Sequence, residues 1–428
     1  MERHRHLVPR DVSSFVLRSP RGSYLLMLAV AASITTAKGT VEIIYPPYLA
    51  GYGYPLSIIG FLTSLIAVLQ LVSRVPAGVA YRSHRAKRQY ALALVAFGVS
   101  TIGFAFANGQ GLVVAGLSAL QGFAFGTLGT LGLALAIDVT GKRSVGASMA
   151  WYTAAVSTGY ALGSLIGGTF AERIGMPATL GLVGVMPFIA AVAVMALPPL
   201  EGGAHVFDRG SGLRGLLASG ARLDSRVWLA VVIVLYLNLV QDSQDTFFPV
   251  FAPGVGISLA LVGLLRAIKS GAAIFIRFGI AVLLRSMDYR RVTLVAVIAS
   301  ALAAIAIPFS SSLFALFPIF VIMGLTRGML RATSAATIAE LRQEGRDVGL
   351  ASGVYNAGLD IGSIIGPSVG GAIATAFGIG PMFQIVAGGS LAAFLIVALA
   401  TPATRQAAGL AKRHTIGPRP IAEGGHSG

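Results

Sequence analysis

The sequence predicts an all-α integral membrane protein of twelve transmembrane helices, arranged as two related six-helix bundles, and three observations carry that prediction. Charged residues make up only 11% of 428 residues, against about 25% in soluble domains, and the mean hydropathy is +0.80. Apolar runs long enough for a hydrocarbon core of about 30 Å, which takes about 20 helical residues, recur along the whole chain. Finally, Gly159, Gly163, Gly167 and Gly168 return as Gly362, Gly366, Gly370 and Gly371, each 203 residues later.

Composition also excludes functions. With no cysteine there is no disulfide framework, thiolate nucleophile or Cys-based metal site. The histidines, at 4, 6, 84, 205, 414 and 426, all fall in tails or loops, and no GxxxxGK loop cradles a phosphate. An enzyme, a metal and a cofactor are therefore not expected. The net charge of +16 raises nucleic acid as a partner, but the basic residues sit in short links and tails, where a membrane protein keeps its cytoplasmic cations.

Residues 1–21 form a basic tail. A signal peptide is the competing reading of this start, but the first apolar run continues through Glu42 and Pro46 into a segment with a partner in the second half. The twelve runs lie near 22–49, 56–81, 89–107, 111–138, 146–171, 177–197, 227–252, 258–284, 291–309, 313–341, 348–376 and 381–401. The link after the second run carries Arg82, Arg85, Lys87 and Arg88, and the link after the eighth carries Arg285, Arg290 and Arg291. Lys142 and Arg143 follow the fourth run, and Arg342 and Arg346 the tenth. The alternate links are nearly uncharged, with Glu172 and Arg173 as the interruption. Both termini are thus expected in the cytoplasm, with the protein in the cell membrane. Residues 201–226 read as a cytoplasmic linker between bundles 22–200 and 227–402, and residues 403–428 as a cytoplasmic tail.

At the single offset of 203 residues, rare positions coincide. Pro46 meets Pro249, Gly53 meets Gly256, Gly60 meets Gly263, Arg74 meets Arg277, Arg82 meets Arg285, Tyr152 meets Tyr355, and Glu42 falls on Asp245. A duplicated chain follows. Glycines every fourth residue stripe one helix face, and in lipid such small residues let two backbones approach. The fifth and eleventh helices are therefore expected to press against neighbours through Gly159, Gly163 and Gly167, and through Gly362, Gly366, Gly370 and Gly371.

The segment from Gly353 to Gly371 reads Gly, eight residues, Gly, three residues, Gly-Pro, two residues, Gly-Gly, with Pro367 as its proline. It resembles the glycine-proline motif of the major facilitator superfamily, usually described in the fifth helix of the drug/proton antiporter branch. Here the fifth helix holds an imperfect copy, with Ala150 and Ser164 in place of Gly and Pro. The family's loop motif after the second helix survives as Gly78, Arg82, Arg85, Lys87 and Arg88, without its Asp and second Gly. The fourth-helix Arg-x-x-Gln-Gly keeps Gln121 and Gly122 but has Ser118 for Arg. The resemblance implies two six-helix halves, a cavity lined by helices 1, 4, 7 and 10, and alternating access by rocking.

Charges inside membrane spans cost at least about 2.5 to 3.5 kcal/mol each and need a reason. Glu42 and Asp245 read either as a gate or proton site, or as end charges in outside water. Arg74 and Arg277 read as snorkelling or loop-holding groups. The unmatched charges are Lys38, Asp242, Arg266, Lys269, Arg327, Arg331 and Asp360, with Arg327 and Arg331 opposite Ala124 and Leu128 of the first half. They form either a salt-bridge network bracing the second half or a solute site, and cations outnumber carboxylates among them. A pair of arginines clamps carboxylate or phosphate. The sequence therefore points to a secondary transporter of a small organic, anionic or amphiphilic solute, coupled to protons. Lys38, Gln121, Arg266, Lys269, Arg327 and Arg331 are its solute-binding candidates. Glu42, Asp242, Asp245 and Asp360 are its proton or gate candidates. Drug or cation efflux by proton antiport, with Glu42 and Asp245 holding the cation, and a non-transporting sensor on the same fold are the alternatives. The expected partners are the solute, protons and lipid, with no nucleic acid, and a monomer. Tyr45, Tyr48, Tyr52 and Tyr54 at the end of the first run, and Trp151 and Tyr152 at the start of the fifth, read as an aromatic belt.

Overall fold

A chain that must satisfy every backbone group away from water has the helix as its local solution, and a computed structural model describing residues 20–80, 83–140, 145–197, 225–286, 289–343 and 348–400 is helical accordingly. Its spans are α1 (Pro20–Gly51), α2 (Leu56–Ala80), α3 (Ser83–Phe106), α4 (Gly111–Thr140), α5 (Val145–Ile174) and α6 (Met176–Met195). They are followed by α7 (Ser225–Phe251), α8 (Leu259–Ser286), α9 (Tyr289–Ala306), α10 (Leu313–Gln343), α11 (Val348–Phe377) and α12 (Ile379–Ala400). Eleven of these are apolar and long enough to cross a membrane. The other, α5, runs for 30 residues rich in Gly, Ser and Thr and falls short of that hydropathy. No strand occurs among the described residues. The expected linker at 201–226 and both tails lie almost wholly outside them, as does Arg82; the side chain of Arg285 and the surroundings of Gly353 are likewise not described.

The links between helices fall at two ends, one rich in Arg and Lys, here the basic end, and one nearly uncharged, here the plain end. The duplication is visible in the turns. Gly53 and Gly256 both take φ near +80° (79° and 76°) at the plain end. Gly175 and Gly378 do the same (87° and 89°) where α5 passes to α6 and α11 to α12. A side chain at these four left-handed positions would strain the turn.

Within each bundle the glycine stripe does what its spacing predicts. A Cβ at Gly159 would meet the Ala32 carbonyl, one at Gly163 the Thr36 carbonyl, and one at Gly167 the Thr40 Cα, all on α1. In the second bundle Gly362, Gly366 and Gly370 meet Leu235, Leu239 and Ser243 of α7, the residues 203 positions further on in each case. A different pair of seams joins the bundles. Gly60 of α2 faces the Pro367 carbonyl and Gly371 of α11, while Gly263 of α8 faces the Ser164 carbonyl and Gly168 of α5. Both seams lie within about 15 Å of the plain end at 1.5 Å per residue, so the halves touch backbone to backbone there.

Three expectations change in three dimensions. The one-offset register fails in α10: Gly324 and Gly328 meet Lys269 and Ala273 of α8, as Gly122 and Gly126 meet Ile66 and Gln70 of α2. The shift is therefore 202 in this helix, and Arg327 and Arg331 stand opposite Phe125 and Gly129, not Ala124 and Leu128. The α4 and α10 starts, Gly111 and Leu313, differ by the same 202, so the link before α10 is one residue shorter. Second, Tyr45 and Tyr48 are core residues rather than belt residues. Tyr45 is hydrogen-bonded to Ser118 at 2.5 Å, and the Tyr48 hydroxyl donates to the Phe104 carbonyl at 2.7 Å; both rings are buried. The repeat equivalents of Tyr45 and Ser118 are Phe248 and Phe320, whose rings pack at a tilt of 52° with centroids 4.8 Å apart. Trp151 and Tyr52 do face outward. Third, α6 is broken at Gly184 and Val185, ahead of Met186 and Pro187. Proline cannot donate the hydrogen bond a continuous helix requires there.

Because the stripe places backbone against backbone, an added methyl has nowhere to go. Gly163→Ala and Gly366→Ala are expected to lower stability by about 1 to 3 kcal/mol, read as a lower melting temperature in detergent. Gly388→Ala, which meets no atom within 4 Å, should shift it by less than about 0.5 kcal/mol.

Candidate functional site

The site follows from where the helices put their charges. Glu42 lies nine residues before the plain end of α1, Asp245 six before that of α7, and Arg266 and Lys269 seven and ten after that of α8. At 1.5 Å per residue all four fall about 10 to 15 Å below the plain end, beneath the glycine seams, and Lys38 and Arg327 lie about 20 Å below it. Asp245 is the hub. Its Oδ1 accepts from Lys269 Nζ at 2.5 Å and lies 3.7 Å from Arg266 Nε, while its Oδ2 is 3.6 Å from Arg327 Nη1. Glu42 holds two cations, Lys38 Nζ at 3.3 Å and Arg266 Nη2 at 3.4 Å. Lys38, four residues before Glu42 on the same face, also lies 5.4 Å above the Phe125 ring.

The cluster therefore spans three helices of the second bundle and one of the first. Arg266 is the bridge, holding Glu42 of α1 and Asp245 of α7 at once. This corrects the bracing reading of the network: it ties the two halves to each other, because Glu42 points inward rather than to outside water. A second correction concerns Asp360 and Arg74. They pair with each other at 2.6 Å between α11 and α2, so Arg74 neither snorkels nor holds a loop, and Asp360 does not join the cluster. The repeat equivalent of Asp360 is Ser157, so this carboxylate exists on one side of the molecule only.

Arg331 Nη2 reaches Asn238 Oδ1 at 3.5 Å, one turn from Arg327 on α10. Asn238 in turn donates to the Leu359 carbonyl and to Ser363 Oγ. Asp242 takes a hydrogen bond from Ser363 and lies near Arg327, Asp245 and Glu42. Gln121 stays apart: it is fully buried and its Nε2 faces Thr101 Oγ1 of α3 at 3.4 Å. Tyr160 was not among the sequence candidates, yet this half-buried residue of α5 lies within electrostatic reach of Glu42, Asp242, Arg327 and Arg331. Its signal was the repeat itself. Tyr160 packs on Gly39, whereas the equivalent positions hold Ser363 and Asp242, so the two bundles exchange a bulky phenol for a carboxylate.

The charges do not cancel. Among the described residues Lys38, Arg266, Lys269 and Arg327 gather around Glu42, Asp242 and Asp245, one more cation than carboxylate, with Arg331 one turn further along α10. Buried Arg266 Nη1 has no acceptor among the described residues, so donor capacity remains. Lys38, Arg266 and Lys269 are buried, while Arg327 and Glu42 keep 27% and 32% of their side chains exposed. The unused donor is buried, and the exposed part of the cluster is at Arg327 and Glu42.

A model of the Major Facilitator Superfamily matches residues 26–313 and 285–425. No protein of curated function matches the sequence. Among solved structures, the nucleoside transporter NupG superposes with a TM-score of 0.72 at 14% identity, covering 87% of this chain and 98% of that one. A bacterial homologue of the human lysosomal transporter Spinster, in an inward-facing and unoccupied conformation, gives 0.67 at 15% identity over 89% and 95%. Its occupied form gives 0.64 over 91% and 96%.

Removing one partner of a buried ion cluster leaves the others uncompensated, at about 3 to 5 kcal/mol. Asp245→Asn is therefore expected to destabilise by that order in thermal unfolding, and adding Lys269→Met should return part of the loss. In a double-mutant cycle the two changes fall short of additivity by about 0.5 to 3 kcal/mol.

Proposed function

We propose that this chain, which belongs to the major facilitator superfamily and is a secondary transporter rather than an enzyme, carries a small organic anion between its two bundles in exchange or in company with protons. The observation that carries the reading is that, among the described residues, cations outnumber carboxylates around Asp245 and Glu42, beneath the seams that close the plain end. Arg327 and Arg331, one turn apart on α10, are the solute anchors. Planar guanidinium forks bind carboxylate or phosphate oxygens with paired hydrogen bonds, and Arg327 is the more exposed of the cluster's cations. Arg266, with an unused buried donor, supplies the next contact. Lys38 and Lys269 set the field.

The basic end is taken as cytoplasmic, with both termini there, as the positive-inside rule directs. The plain end then faces outward and is shut, and the exposed faces of Arg327 and Glu42 are reached from inside. The division at 22–200 and 227–402, joined by a linker at 201–226, makes the two rocking bodies, and a single chain suffices as the transporting unit in the cell membrane. Likeness in fold to an inward-facing transporter supports the same orientation.

Proton coupling rests on which ion pairs cross the moving interface. Glu42 with Arg266 and Asp360 with Arg74 are pairs between bundles, so parting of the halves takes Arg266 from Glu42, which keeps Lys38 of its own helix, and takes Arg74 from Asp360. A carboxylate that trades a guanidinium for a proton as the halves part keeps the local charge constant, which links protonation to conformation. Asp242 and Asp245, both on α7, are held within the second bundle and act as fixed counter-charges. Cation efflux is disfavoured by the same geometry, since Glu42 and Asp245 already hold two and three cations.

Purified protein in liposomes tests this directly. Melting-temperature screens should show stabilisation by organic anions and not by cations. Arg327→Ala and Arg331→Ala are each expected to reduce uptake of the stabilising anion by at least about tenfold, the loss of a charge-assisted hydrogen bond of about 1.5 to 3 kcal/mol; undiminished uptake removes the anchors. Glu42→Gln should retain solute exchange across a liposome without a pH gradient and lose accumulation driven by one. Accumulation indifferent to the gradient in the wild-type protein removes the proton.

A further inference from the structure

Glu172 is the carboxylate that breaks the uncharged pattern of the plain end, and neither the ion cluster nor the solute reading uses it. It closes α5, and its Oε1 accepts the backbone N–H of Ala260 at 3.0 Å. Ala260 is the second residue of α8, in the other bundle. The repeat supplies the same bond on the other side: Thr375 Oγ1, near the end of α11, accepts the backbone N–H of Ser57 at 2.9 Å, and Ser57 is the second residue of α2. Both donors and both acceptors are related by the offset of 203.

The first four N–H groups of a helix have no acceptor within it. They are usually met by a side chain just before the helix, as Ser258 Oγ meets the Leu261 N–H of α8. At Ala260 and Ser57 the acceptor comes instead from the opposite bundle. The negative charge of Glu172 also lies at the positive end of the α8 dipole. Next to each bond the backbones touch, with the Leu259 carbonyl against Gly168 and the Leu56 carbonyl against Gly371. The α2–α11 seam carries extra side-chain bonds, from Ser64 Oγ to the Ile364 carbonyl at 2.5 Å and from Ser368 to Ser64 at 2.7 Å. Residue 267, the repeat equivalent of Ser64, is alanine, so the α5–α8 seam lacks that bond and has the charged cap in its place.

We propose that Glu172 and Thr375 are the gate residues of the plain end, each capping the first turn of a helix in the opposite bundle, so that closure is stabilised by two related caps and opening requires both to be released. This rests on the rocking of two bundles proposed above and not on the charge of the solute. Neither residue touches the ion cluster in any contact described, so their effect is on which side the transporter faces.

The absence of native cysteine allows the gate to be read with paired labels. Ile174 and Phe377 are exposed at the ends of α5 and α11, and Gly254 and Gly51 have open space around a built Cβ. Spin labels on Ile174→Cys with Gly254→Cys report on the α5–α8 seam, and on Phe377→Cys with Gly51→Cys on the α2–α11 seam. Pulsed dipolar distances are then measured in liposomes without solute. Loss of one cap is expected to raise the ratio of long to short distances by about fivefold, in Glu172→Ala at the first pair and in Thr375→Ala at the second. Glu172→Gln and Thr375→Ser keep an acceptor and should stay within about twofold of the wild-type ratio. Two distances in the wild-type protein with proportions that none of these changes alters would overturn the caps while leaving the rocking intact. One fixed distance at both pairs during active uptake would overturn the rocking, and the caps with it. Monodisperse elution and an unchanged melting temperature of the Gln and Ser variants establish that the comparison is between folded proteins.

Discussion

The close approach of backbones at glycine is the contact on which the remainder of this structure depends. In lipid, two helices gain nothing from hiding apolar surface, so they associate where small residues let carbonyls and Cα atoms come within van der Waals range. The stripe on α5 fixes α1 and the stripe on α11 fixes α7, giving each bundle a rigid pair. The same two striped helices also present Gly168 and Gly371 to the opposite bundle. One helix in each half thus serves both as an internal brace and as a bearing surface, and the faces used for the two purposes adjoin. Contacts made of backbone and few long side chains separate without repacking a jigsaw of side chains, which suits a surface that has to part and rejoin.

Beneath those seams the electrostatics take a different form. Ion pairs across an interface that opens are stable only in one arrangement, and each must find another counter-charge in the other. Glu42 with Arg266 and Asp360 with Arg74 are such pairs, whereas Lys269 with Asp245 stays within one bundle. With the partly exposed Arg327 included, the described cations near Asp245 exceed the carboxylates, and in a low dielectric such an imbalance is costly unless a further negative charge is supplied. In the function proposed, an anionic solute supplies that charge and stabilises the assembled site. The duplicated scaffold has thus been made unequal: Lys38 stands where the second half has Gln241, Asp242 where the first has Gly39, and Arg266 and Lys269 where the first has Thr63 and Ile66. In the function proposed, the shared parts move and the unequal parts recognise.

Sequence reasoning reached the scaffold through residues whose physics is local. A glycine every fourth position, a proline pair at the same offset and charges confined to alternate links have one reading each in a membrane, and they gave the helices, the duplication and the faces that touch. It reached the members of the ion cluster because a charge in an apolar run is visible without a fold. It misjudged their partners, because Arg74 and Asp360 are 286 residues apart and nothing in either neighbourhood announces the other. It also carried one offset through α10, where a link one residue shorter moves Arg327 from the position of Ala124 to that of Phe125. Tyr45 and Tyr48 looked interfacial because they sit at a helix end, yet their hydroxyls found Ser118 and the Phe104 carbonyl inside the bundle.

By itself the amino-acid order determined that the chain spans a membrane as a doubled set of helices, since hydrocarbon thickness and backbone hydrogen bonding leave few ways to arrange such runs. It also determined which charges needed explaining. Only the tertiary structure decided that Arg266 joins two carboxylates from different bundles, that Glu172 and Thr375 cap helices they are not part of, and that Gln121 turns to α3 instead of the cluster. The reason is geometric: partners far apart in the chain are chosen by the rotation of one helix against another, and a residue's neighbours in sequence carry almost no record of that angle.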